Sequence, residues 1–312
     1  MRPTAEESAP AKLNLALSVG PREASGKHPI CTWMVTVSLC DDLLVTRLED
    51  DRVSRYAILW HADAPRRTEI DWSVTKDLAV RAHLRLEEEA GRDLPVQMKL
   101  EKRIPVSGGL GGGSSNAAAM LRAVNRLFEL GLSTDELATI GAELGSDVPF
   151  FVRGGSAVVQ GLGETIQPHQ QTPDLHSVIV MPQSISPTTA VYEQFDVLSA
   201  ERDGKPRIRE ADVHKLAATG GDAPHYDDLF NDLAEPAMRL ISELAEVQQS
   251  LSELAERPAQ VAGSGSSLYV LCDDAMHAEA LAGAVEEQLD LAAVAVTSRP
   301  PVEIEDRRQT EA

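Results

Sequence analysis

The chain has 312 residues, 43% of them hydrophobic and 25% charged, which suits two ordinary soluble domains and excludes a long disordered protein. Its 49 acidic against 29 basic residues leave a net charge of −20. That charge repels phosphate backbones and so excludes a nucleic-acid partner, but a local nest of backbone N–H groups could still hold a small phosphorylated ligand. Three cysteines (Cys31, Cys40 and Cys272) without CxxC spacing offer neither a disulfide framework nor a zinc site. No basic start followed by an apolar run is visible, and no apolar stretch nears the ~20 residues of a membrane helix. The expectation is a soluble, cytoplasmic protein with no membrane partner.

In chain order, residues 1–10 are polar and read as loose, and alternation from Ala11 to Val19 predicts a half-buried strand. Turn residues Gly20, Pro21 and Gly26 follow. Residues 32–39 read as a second strand ended by Asp41-Asp42, and 43–48 as a third. Apolar residues at helical spacing predict a helix over 75–90, and alternation predicts a strand over 96–104. A helix follows the glycine-rich stretch and ends at Gly131. Ser133 with Glu136 forms a capping box that opens the next helix, which stops near Gly145. Short strands are expected at 156–160 and 177–181, with mixed loops around a helix over 200–227. A helix over 233–256 should break near Pro236. A glycine turn and strand over 260–272, a helix over 275–289, a strand over 291–298 and a charged tail complete the chain. The boundary between domains is placed near 170, giving 1–170 and 171–312.

The segment richest in chemistry is Pro105-Val106-Ser107-Gly108-Gly109-Leu110-Gly111-Gly112-Gly113-Ser114-Ser115. Five glycines in six positions are costly in backbone entropy, and a mere connection rarely keeps them. They permit close approach of backbone to a ligand, and the loop opens into a helix whose free N–H groups favour anions. A Walker A loop is excluded because no Lys follows the glycines, and a Rossmann fingerprint fails on spacing. The segment reads as a phosphate-binding loop.

Three other features carry less weight alone. Ala262-Gly263-Ser264-Gly265-Ser266-Ser267 could be a tight connection. Asp147, in an apolar surround, could simply cap the helix that follows. Lys12 could be a snorkelling surface lysine.

Together, Pro10-Ala11-Lys12-Leu13-Asn14-Leu15, residues 105–117 and residues 262–267 stand in the order of the three motifs of the GHMP kinases, and the chain resembles that family. The stretches EKRIPVSGGLGGGSSNAA and LGSDVPFFVRGGSA are most similar to a branch acting on a cytidyl small molecule. The resemblance implies an α+β fold of two domains with the active site in the cleft between them. It implies transfer of the ATP γ-phosphoryl group, with Mg²⁺ as counter-charge, to the 2-hydroxyl of a methylerythritol unit.

By motif position, the resemblance makes Lys12 and Asp147 catalytic and residues 105–115 ATP-binding. Asn14, His28, Thr188 and Tyr192 would hold the substrate, while no metal ligand is assigned. The acting unit would be a monomer or homodimer. Where relatives read Gly-Tyr-His this chain has Gly26-Lys27-His28, and Lys27 is expected in solvent. Asp77-Leu78 replaces an Asn-Leu near the adenine. Alternatives are a kinase of the same family for another small alcohol, or a catalytically silent binding protein on the same fold.

Overall fold

Strand β1 (Thr4–Val19) starts seven residues earlier than the alternation from Ala11 suggests. The computed structural model describes residues 2–202, 206–219 and 221–302. Ala5 and Ala9 are buried between polar neighbours, and Glu7 binds Arg122 and Arg126, so the polar start is a sheet strand and not a loose tail. β1 pairs antiparallel along its length with β2 (Ile30–Arg47), with register shifts after Pro10 and Asn14.

β2 is one strand where two were expected. Asp41-Asp42 does not break it, because Asp41 is wholly buried and its carboxylate is fully engaged. Lys102 Nζ lies 2.6 Å away, and the backbone N–H groups of Arg103 and Ile104 donate to the other oxygen at 2.6 and 2.8 Å. A buried pair so bonded is tolerable, whereas removing one partner would leave an uncompensated charge. The same contacts fix the chain just ahead of Pro105.

Two further strands complete this side. β3 (Arg55–Trp60), which the sequence reading missed, pairs parallel with β4 (Val96–Lys102), and β4 pairs with the second half of β2. The first half of β2 pairs with β5 (Ser156–Gly161), which is followed by β6 (Thr165–Pro168). Helices α1 (Leu78–Ala90), α2 (Gly112–Leu127), α3 (Thr134–Leu144) and α4 (Val148–Arg153) accompany this sheet. Asp77 caps α1, and the Ser133–Glu136 capping box is formed at α3. α2 begins inside the glycine run and ends at Leu127, ahead of Gly131.

The second sheet runs β11–β7–β10–β9, all antiparallel. Its strands are β7 (His176–Met181), β9 (Gln260–Val261), β10 (Leu268–Cys272) and β11 (Ala292–Thr297). Helix α5 (Thr188–Glu201), absent from the sequence reading, follows β7. α6 (Glu210–Ala217) is the helix expected among mixed loops, and the short β8 (Phe230–Asn231) returns to pair with β1 in the first sheet. Residues 203–205, 220 and most of the charged tail lie outside the described residues.

The helical break comes at Ile241, between α7 (Ala234–Leu240) and α8 (Ser242–Ala255), and not near Pro236. Pro236 sits in the first turn of α7, where no intrahelical N–H is missed. Helix α9 (Ala275–Leu289) matches its expected span. The two sheets share a core in which Leu13 and Leu15 of β1 meet Ile179, Tyr269 and Val296 of the second sheet. This is an α+β architecture of two sheets with a cleft between them. Among the described residues no helix is long and apolar enough to cross a membrane.

Candidate active site

A cavity of about 460 Å³ opens where the second half of β1, the end of β4, the glycine loop and the second glycine turn converge. Residues 105–114 all line it, whereas Ser115 does not; its side chain is buried in α2 with an unpartnered hydroxyl. The helix α2 points its N-terminus at the cavity from Gly111 (φ 74°), and no side chain caps it. Its first N–H groups therefore remain available to an anion.

The glycines serve packing as much as ligand approach. A Cβ at Gly109 (φ +76°) would stand 1.9 Å from the Ala262 carbonyl oxygen, because the two glycine turns lock together there. The Ser267 N–H also donates to the Gly108 carbonyl at 3.2 Å. A Cβ at Gly111 would come within 3 Å of Phe151 and one at Gly112 within 3 Å of Ile104, whereas a Cβ at Gly113 would meet nothing nearer than Leu78 at 3.4 Å. Gly109→Ala should therefore lower stability by about 1–3 kcal/mol for the left-handed backbone alone, read as a fall in melting temperature. Gly113→Ala should melt like the wild type.

Lys12 is not a surface lysine: its side chain is buried and its Nζ binds the Asn14 side-chain oxygen. Its backbone N–H donates to the Leu110 carbonyl at 3.0 Å, tying β1 to the loop. Asn14 in turn donates to the Thr32 hydroxyl at 2.8 Å, which donates to the Ala16 carbonyl at 2.7 Å. This relay leaves Asn14 one orientation, with its oxygen on Lys12. Burial lowers the Lys12 pKa, and the Asp147 charge opposes that by holding the ammonium.

Asp147 stands in the position before α4 but makes no side-chain cap bond, so the plain capping alternative fails. Its half-buried carboxylate lines the same cavity as Lys12. It also acts on Tyr192, whose phenol is pushed up to about 12, mainly by burial and secondarily by Asp147.

The second glycine turn is stapled to the segment entering α5. Ser186 donates to the Ser264 carbonyl at 2.6 Å, Ser266 to the Ser184 carbonyl at 2.6 Å, and the Thr188 and Ser264 hydroxyls lie 3.0 Å apart. Asn231 donates to the carbonyls of Val261 and Gly263 at 2.8 and 2.7 Å, aiming the turn. Thr188 and Tyr192 belong both to this cavity and to an adjoining pocket of about 310 Å³.

His28 lies in that adjoining pocket. Its ring packs on Tyr192 with centroids 5.2 Å apart. Lys27 is exposed, as expected, yet it borders the same pocket. The structure thus gathers Lys12, Asn14, Asp147, Thr188 and Tyr192 with the glycine loop, and sets His28 next door.

The sequence reading did not point to Trp72 or Lys102 in the main cavity, nor to Arg22, Glu193 or Asp196 in the pocket beside it. An isolated Trp72 in a polar stretch was the one local hint. The others arrive through tertiary contacts. Among the described residues no group of three or more His, Cys, Asp or Glu stands ready to hold a metal.

Comparison with known proteins agrees with this geometry. Residues 77–155 match the model of the GHMP kinases N terminal domain, and residues 216–291 match that of the GHMP kinases C terminal. The chain is 34% identical over 292 residues to a 4-diphosphocytidyl-2-C-methyl-D-erythritol kinase of Paraburkholderia phymatum, covering 90% of this chain and 93% of that one. It is 36% identical over 271 residues to the protein of the same name from Bacillus cereus, covering 86% and 89%.

A crystal structure of 4-(cytidine 5'-diphospho)-2C-methyl-D-erythritol kinase superposes with a TM-score of 0.74 at 33% identity, covering 94% of this chain and 99% of that one. The L. major mevalonate kinase shares the fold at a TM-score of 0.69 and 16% identity, covering 96% and 97%. With its paired glycine turns, uncapped helix and relatives matched over nearly their whole length, the chain belongs to the GHMP kinase family.

Proposed function

We propose that this protein is an ATP-dependent kinase that phosphorylates the 2-hydroxyl of 4-diphosphocytidyl-2-C-methyl-D-erythritol. One observation carries this reading: the Lys12–Asp147 couple lines the anion cavity, and that cavity shares Thr188 and Tyr192 with a pocket walled by His28 and Tyr192. An ATP triphosphate on residues 105–114 and the N-terminus of α2 would direct its γ-phosphate toward Asp147. A pyrimidine against Tyr192 and His28 would bring its diphosphate-linked alcohol from the other side. The names of the relatives point to the same substrate.

Phosphoryl transfer has a loose transition state, so the protein mainly positions groups and neutralises charge. A carboxylate is too weak a base to ionise an alcohol beforehand. Asp147 orients the hydroxyl and accepts the proton as the new P–O bond forms. Lys12, held by Asn14, meets the charge that develops on the transferring group. Thr188 and Asn14 flank the incoming alcohol.

The residues present suit Mg²⁺ carried with ATP better than a dedicated metal cage. Oxygen donors line the cavity at Ser114 and Asp147, and Asn116 reaches it with a buried, unpartnered side-chain oxygen. Mg²⁺ commonly keeps several waters and takes only one or two protein oxygens beside the phosphates. Bound there, it would neutralise the triphosphate.

We assign the acting unit as a monomer or homodimer in the cytoplasm. The division into residues 1–170 and 171–312 fits the change of sheet between β6 and β7, with β8 as the return crossing. Phosphorus-31 NMR of the reaction with Mg-ATP tests the product. A new phosphate monoester beside an intact diphosphate is expected, and release of inorganic phosphate alone would overturn the reading.

A further inference from the structure

Asp147 makes no side-chain cap bond, so the backbone of α4 sets its position in the cavity. α4 has only six residues, too few for a helix that holds itself. The Phe151 N–H donates to the Asp147 carbonyl at 3.2 Å, which links the two residues directly. The Phe151 carbonyl, in the last turn, finds no partner within the helix. It accepts instead from Arg122 Nη1 at 2.8 Å.

Arg122 is itself firmly placed. It lies on α2, its side chain is only 4% exposed, and its Nε donates to Glu7 of β1 at 2.9 Å. A guanidinium carries its donors in one rigid plane, so the bond to Glu7 orients the nitrogen that reaches Phe151. Glu7 is buried too, and takes a second bond from Arg126 Nη1 at 2.8 Å. The Phe151 ring also packs where α2 begins, since a Cβ at Gly111 would stand 2.7 Å from it. The Glu7–Arg122 pair thus joins β1, which carries Lys12, α2, which faces the phosphates, and α4, which follows Asp147. A buried ion pair adds little net stability, so what this one supplies is geometry.

We propose that Arg122 is a positioning residue for phosphoryl transfer, holding α4 through the Phe151 carbonyl so that Asp147 meets the substrate hydroxyl. This rests on the kinase reading given above. Arg122 lines neither cavity, so it acts through Asp147 and not on a ligand. A reacting group misplaced by about 1 Å can cost ~10²-fold in rate. α2, sixteen residues long, keeps its own N-terminus at the phosphates without this contact. The loss should therefore fall on kcat and spare ATP binding.

A double-mutant cycle on kcat tests this by crossing Arg122→Met with Asp147→Asn. Glu7 keeps Arg126 in Arg122→Met, so no buried carboxylate is left unpaired. With Asp147 present, kcat for the cytidyl substrate should fall about tenfold or more. The KM for ATP should stay within about twofold of wild type. In the Asp147→Asn background the same change should cost no more than about twofold, because the group that Arg122 places is already disabled. A merely structural arginine would cost the same factor in both backgrounds. Amide hydrogen exchange reads the placement without turnover: residues 148–154 should exchange about tenfold faster in Arg122→Met, with residues 112–121 unchanged. Should the single variant fail to fold, Glu7→Leu combined with Arg122→Met replaces the pair by apolar groups and carries the same expectations. Equal losses in both backgrounds, an undiminished kcat, or unchanged exchange over 148–154 overturns the assignment of Arg122 while leaving the kinase reading intact. No turnover by a folded wild type overturns the kinase reading, and this assignment with it.

Discussion

Asp147→Asn should bind Mg-ATP and the cytidyl substrate nearly as the wild type does and lose about 10²–10⁴ in kcat, the usual worth of a positioned proton acceptor. The substitution keeps the shape and removes only the charge and the basic lone pair. No cap is lost with it, because Asp147 makes no side-chain bond to α4. A second signature follows from Lys12. Burial lowers its pKa and the Asp147 charge counteracts that, so losing the charge moves the Lys12 titration further down. The alkaline limb of ATP affinity against pH should shift to lower pH in the variant. Steady-state kinetics and an ATP titration across pH check both. A kcat near wild type would remove Asp147 from the chemistry.

Lys12→Ala should lose about 10²–10³ in kcat, comparable to deleting one preorganised charge-stabilising group. Its stability signature separates a working lysine from a merely structural one. The folded-state pKa lies below the ordinary lysine value. Between the two values the unfolded chain binds the extra proton, so stability rises with pH through that alkaline window. Below it the buried ammonium is a net burden on the fold. Lys12→Met, which keeps the volume, should therefore unfold at no lower urea concentration than the wild type near pH 7. Its advantage should shrink as pH rises through the window. Lost rate with retained stability assigns the lysine to catalysis, whereas lost stability with normal rate would make it a structural element.

Local signals were enough for some elements and not for others. The Ser133–Glu136 box, the helix at 275–289 and the glycine loop write their structure within a few residues, and the structure follows them. Asp41-Asp42 misled because its compensation comes from Lys102, sixty-one residues away, where no local pattern can show it. The same holds for residues 4–10, which become a strand only because β2 continues far enough to pair with them. Pro236 looked like a breaker because composition cannot say which turn of a helix a proline will occupy.

In the site, Lys12 and Asp147 were visible as motif residues, but each kept a bland alternative until burial and the missing cap removed it. Asn231 and Ser264 shape the second glycine turn through contacts between distant segments. The glycines themselves illustrate a limit of composition. It marked them as a ligand loop, and the structure adds that Gly109 is required by the neighbouring turn as well.

The most direct measurement is ADP release from the purified protein with Mg-ATP in two parallel reactions. One contains 4-diphosphocytidyl-2-C-methyl-D-erythritol and the other methylerythritol phosphate without the cytidyl group. Turnover confined to the cytidyl compound is the predicted result, since the proposed reading has His28 and Tyr192 position the alcohol through a base in their pocket. Equal turnover of both compounds, or ATP binding without turnover of either, would contradict it.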